Sequence, residues 1–117
     1  MAKDDYYVLV YKILKHLEDC LKSSTPPNWN ELQPNTKKFP IDDEYWNYIW
    51  LNLYKDGYVT GVLEVEFLGA DPQIQITDSL KITPKGIQYL SENSMLAKAK
   101  GYIKGAAELV TTVKSVL

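Results

Sequence analysis

Residues 42–57 form a helical repeat that stops on Asp56-Gly57 and passes directly into a strand pattern, and this joint limits the possible folds most sharply. Asp42 is placed to cap the helix, with Asp43 and Glu44 in its first turn, and Gly57 supplies the residue past its end that can turn left-handed. At about 100° per residue, Trp46, Ile49, Trp50 and Leu53 share one face, and Glu44, Tyr48, Leu51, Asn52 and Lys55 share the opposite one. Residues 58–67 then set Leu63, Val65 and Phe67 in alternation against Glu64 and Glu66, which predicts a strand. Residues 68–72 read as a turn, and residues 74–76 and 80–82 as the returning strand, with a break near Asp78 and Ser79. A helix running straight into a hairpin is the organisation of a winged helix, with that helix in the recognition position.

The flanking segments fill out the domain. Residues 4–22 carry Val10, Ile13, Leu14, Leu17 and Leu21 at helical spacing, and the chain then meets Pro26-Pro27, which cannot continue a helix. Residues 25–40 predict an ordered surface excursion, anchored by Trp29, Leu32 and Phe39 and holding one helical turn at residues 30–33. Thr83 caps a short helix whose first position is Pro84 and which carries Ile87, Tyr89 and Leu90 before Glu92-Asn93. Ser94 is expected to cap a final helix over residues 94–117. In it Leu96, Ala99, Ile103, Ala106, Val110, Val113 and Leu117 recur at steps of three and four, the seam of a helix pair. The sequence thus predicts an α+β, winged-helix-like domain, helices plus a β-hairpin wing, with a long C-terminal helix. Residues 1–93 form that domain and residues 94–117 pack on it or in a dimer.

Composition narrows the function. A chain of 117 residues with 45% hydrophobic side chains can close one core without disulfides or metal. The single cysteine, Cys20, has no internal partner and sits in a helical pattern, which predicts a small buried hydrophobe; with no secretory pattern at the start, a cytoplasmic location is expected. Lysine or acidic residues interrupt every apolar stretch, so no membrane span is predicted. Net charge is -2, and all 13 basic residues are lysine. Without arginine there is no bidentate guanidinium for bases and phosphates, which argues against tight DNA binding.

No constellation for catalysis stands out. His16 and Cys20 fall short of the several ligands a zinc site requires, and Asp42, Asp43 and Glu44 point in different directions on a helix, as capping residues do. Gly101 and Gly105 form a G-x-x-x-G step, but Lys98, Lys100 and Lys104 interleave with it, so a close soluble helix contact is expected. No phosphate-binding glycine loop and no serine nucleophile with its partners are present. No enzyme activity, cofactor, metal or small-molecule substrate is expected.

Three segments resemble the small YjcQ-like proteins of bacteria and their phages. They are Tyr11-Lys12-Ile13-Leu14-Lys15; Trp46 to Tyr54 with Lys55-Asp56-Gly57-Tyr58-Val59; and Ile82-Thr83-Pro84-Lys85-Gly86-Ile87-Gln88-Tyr89-Leu90. The resemblance spans roughly residues 5–110 and implies a winged-helix-like fold without catalytic residues to carry over. Residues 25–40 depart from it, standing where a regular second helix is expected.

Two functions follow as expectations. The first is an interaction or self-association module, bound to a protein partner or to a second copy through Tyr48 and Leu51 or through the seam of Leu96, Ala99, Ile103, Ala106, Val110 and Val113. The second is a DNA-binding, transcription-linked protein in which Asn47, Tyr48, Asn52 and Lys55 are the available contacts. Acidic side chains at both the helix start and the wing weigh against the second.

Overall fold

The computed structural model describes residues 6–66 and 68–100, with side chains through residue 94. It is an α+β arrangement of three helices and a two-stranded antiparallel hairpin, in the order α1 (Tyr6–Ser23), α2 (Asp43–Lys55), β1 (Val59–Val65), β2 (Gln73–Ile82) and α3 (Pro84–Lys100). This order is compatible with a winged-helix-like arrangement.

Helix α1 is the element around which the others gather. Val8, Leu9, Val10, Tyr11, Ile13, Leu14 and Leu17 are all buried, a wider apolar face than one helical stripe, because α2, β2 and α3 all pack against α1. Leu21, expected on that face, is exposed. The helix ends where Ser24 turns left-handed at φ 56° and the Thr25 N–H bonds the Cys20 carbonyl at 3.0 Å.

Residues 25–40 are ordered by hydrogen bonds and by two buried side chains. The helical turn lies slightly earlier than expected, where the Glu31 and Leu32 N–H groups both bond the Asn28 carbonyl. A second loop is closed by the Asn35 N–H on the Ile41 carbonyl at 2.8 Å, and the Thr36 hydroxyl accepts from the Phe39 N–H. Leu32 and Phe39 are buried, and Phe39 lies edge-on to Trp46 with ring centroids 5.1 Å apart. Trp29 is not an anchor. It is 36% exposed, because the turn at Asn28 directs Leu32 inward instead.

Helix α2 begins and ends as its sequence dictates. The Asp42 carboxylate accepts from the Tyr45 N–H at 2.9 Å, and Gly57 adopts φ 79° beyond Lys55. Ile49, Trp50 and Leu53 are buried, while Trp46 is half-buried beneath Phe39.

The hairpin departs from simple alternation. Val59 pairs with Ile82 and Thr60 with Lys81, but the next pair is Val62 with Ile76, so Gly61 alone faces Thr77, Asp78, Ser79 and Leu80. This bulge lets Leu80 return to the core and shifts β1 so that Val62 is buried and Leu63, the first residue of the alternating run, is 54% exposed. Gly61 sits at φ 84°, and a Cβ there would strike the Ser79 carbonyl group and the Leu80 nitrogen. The Thr77 hydroxyl closes the bulge by donating to the Gly61 carbonyl at 2.7 Å.

Helix α3 starts on the expected cap. The Thr83 hydroxyl accepts from the Gly86 N–H and donates to the Gly57 carbonyl at 2.6 Å, tying the end of α2 to the start of α3. Gly86 allows this first turn to approach the backbone just before β1: a Cβ would lie 2.5 Å from the Tyr58 oxygen. The break expected at Glu92-Asn93 is absent. The helix runs without interruption to Lys100, with the Asn93 amide bonding the Tyr89 carbonyl and Ser94 bonding the Ser91 carbonyl along its own axis. Of the expected seam, Leu96 and Ala99 fall where only the backbone is described. Ile103, Ala106, Val110 and Val113 lie outside the described residues, as do the other residues of the expected final helix beyond Lys100.

Candidate interaction surface on α2

The outward face of α2 and the turn of the hairpin enclose a groove of about 540 Å³. Three carboxylates line it, Asp43 and Glu44 from the first turn of α2 and Asp71 from the hairpin turn, and no basic side chain does so among the described residues. Tyr48, Leu51 and Pro72 form its apolar part.

The five residues expected to make one surface divide into different roles. Asn47 holds the hairpin to the helix: its amide nitrogen donates to the Pro72 carbonyl at 3.1 Å and its oxygen accepts from the Ile74 N–H at 2.7 Å. Asn52 bonds back to the Tyr48 carbonyl of its own helix at 2.8 Å. Lys55 is exposed at the far end. Tyr48 and Leu51 remain facing the groove, Tyr48 at 56% exposure and Leu51 half-buried. No residue of 25–40 is among the described residues that line this groove, and Phe39 packs on Trp46 instead.

Tyr48 belongs to an aromatic group that the helical pattern alone did not reveal. Tyr6, from the start of α1, lies 6.1 Å from Tyr48 and 5.2 Å from Tyr7, both edge-to-face, and Tyr45 lies 6.3 Å from Tyr48. Burial, and next to it the Asp56 carboxylate, push the Tyr6 hydroxyl up to about 12, so it stays neutral in ordinary buffers. The signal was present in the Tyr6-Tyr7 and Tyr45-x-x-Tyr48 spacings, but only the packing of α1 on α2 joins them.

Cys20, His16 and Glu31 stand in nucleophile-base-acid order but with unsuitable geometry. The Cys20 sulfur lies 3.6 Å from His16 Nε2 and 3.6 Å from the Pro26 carbonyl, and His16 Nδ1 lies 3.9 Å from Glu31. The Asn28 N–H donates to Nε2 at 3.0 Å, so that nitrogen is already an acceptor and has no second lone pair for a thiol proton. Cys20 is half-buried rather than fully enclosed. Among the described residues no group of His, Cys, Asp and Glu is placed to hold a metal ion, and no helix is long and apolar enough to cross a membrane.

The class this structure defines is an α+β domain of three helices and a β-hairpin, with a groove lying between the hairpin turn and the preceding helix. The YjcQ protein family model matches residues 11–109, and the chain belongs to that family. No curated protein and no solved structure matches it.

Proposed function

We propose that the chain is a non-enzymatic, winged-helix-like interaction module that binds a protein partner or a second copy of itself through the outward face of α2. The observation that carries this reading is Tyr48, 56% exposed beside Leu51 in a groove rimmed by Asp43, Glu44 and Asp71. Large apolar side chains left open at a concave surface suit burial by another protein. The same carboxylates repel a phosphate backbone, and Asn47, the best base-reading side chain available, is held by the hairpin. A cytoplasmic location agrees with this reading.

Two measurements test it. A photo-crosslinking residue at position 48 in the native host is expected to give a discrete protein adduct that the same residue at exposed position 88 does not. Titration with random and genomic duplex DNA at physiological salt is expected to give no sequence-dependent complex, whereas specific readers reach about 10⁻⁸ M. Sub-micromolar, sequence-dependent binding with a steep salt slope reverses the conclusion in favour of DNA.

A further inference from the structure

We propose that the groove between α2 and the hairpin turn receives a basic segment of a partner protein, with a lysine or arginine among Asp43, Glu44 and Asp71 and an apolar neighbour against Tyr48 and Leu51. The proposal rests on the reading of this face as a protein-binding surface and adds the chemistry of what it takes.

Charge is the first argument. The start of a helix carries about half a positive charge, and α2 sets three consecutive carboxylates, Asp42, Asp43 and Glu44, against it. Asp42 is satisfied by the Tyr45 N–H and Asp43 by the Asn35 amide at 3.1 Å. Among the described residues Glu44 and Asp71 have no ion-pair partner and no lysine lines the groove. Capping therefore accounts for part of the acidity and leaves a negative surplus facing solvent.

A buried donor is the second argument, independent of the first. The groove adjoins a smaller cleft of about 160 Å³ that shares Asp43, Asn47 and Gln73 with it and is also lined by Trp50. Trp50 is 0% exposed, and its Nε1 has no hydrogen-bond partner among the described residues. Buried N–H groups are ordinarily paired, so an acceptor that enters the cleft beside Trp50 would meet a donor the described residues leave unmet. A polypeptide segment brings the whole complement at once: backbone carbonyls for a donor, a cation for the carboxylates, and an aliphatic side chain for Tyr48 and Leu51. A nucleic acid supplies acceptors but the wrong charge, and a polyamine supplies charge but no acceptor.

The test is an NMR titration of the full chain with a short capped peptide holding lysine between two leucines, and with the same peptide holding glutamate there. The lysine peptide is expected to shift the amides of Tyr48, Leu51, Asp71 and Gln73 together with the Trp50 indole N–H, and the glutamate peptide to leave them in place. Asp71 is exposed in the turn, so Asp71→Lys should keep the parent melting temperature while weakening the lysine peptide about tenfold or more. Equal response to both peptides, an equal response to spermine, or shifts confined to other surfaces overturns the proposal. So does a silent titration. The crosslink at position 48 can still succeed in that case, which separates failure of this partner chemistry from failure of the interaction reading.

Discussion

Gly61 and His16 each meet the backbone of a distant segment, and each makes a prediction at the scale of a single residue. Gly61 combines a left-handed φ of 84° with backbone contact to Ser79, so no side chain fits there without moving β2. Gly61→Ala should destabilise the protein by about 2 kcal/mol or more, read as a lower urea midpoint; an unchanged midpoint would show that the bulge is wrongly placed. His16 accepts the Asn28 N–H on Nε2, which requires the neutral ring. Burial, then the nearby Lys38, hold its pKa below the ordinary 6.5 against the opposing pull of Glu31 and Asp19. The folded protein therefore carries fewer protons on this ring than the unfolded chain, and stability should decline as pH falls below about 6.5. His16→Gln should flatten that decline in thermal melts taken between pH 7 and pH 5, since an amide does not titrate.

At the scale of elements, α2 depends on its tryptophans unequally. Sequence spacing puts Trp46 and Trp50 on one face and implies equal burial, but Trp50 is wholly enclosed and Trp46 only half-buried, because it sits at the edge where Phe39 closes over it. Trp50→Ala should cost about 3 to 5 kcal/mol, enough to unfold much of a marginally stable domain, and Trp46→Ala distinctly less. Denaturation of both variants checks the order, and the reverse order would mean that the helix is rotated. The two helix starts were legible because capping is local: Asp42 to Tyr45 and Thr83 to Gly86 each span one turn. The end of the first part of α3 was misread for the same reason. Ser94 has the composition of a cap, yet its hydroxyl bonds the Ser91 carbonyl within a continuous helix.

For the whole molecule, self-association is the open expectation, and α3 alters how it should be tested. A cut at Asn93 would fall inside a continuous helix, whereas a chain ending at Lys100 keeps every described element. If the seam of Ile103, Ala106, Val110 and Val113 pairs two chains, sedimentation should give a dimer for the full chain at high micromolar concentration and a monomer for the shortened one. A monomeric full chain removes the dimer, and a lower melting temperature on shortening would then assign the seam to packing within one chain.

What the sequence determined by itself rested mainly on interactions within a turn or two: most of the apolar face of α1, the caps of α2 and α3, the hairpin after Gly57, and the likeness to the YjcQ family. What only the tertiary structure decided were the partners of side chains far apart in the chain. Asn47 looked like a free surface amide until Pro72 and Ile74, more than twenty residues on, were brought to it. Trp29 looked like an anchor until the turn at Asn28 gave that place to Leu32, and Leu63 looked inward until the bulge at Gly61 shifted the strand. The reason is physical: periodicity and capping act over about four residues, whereas the face an element buries is set by whichever distant element closes over it.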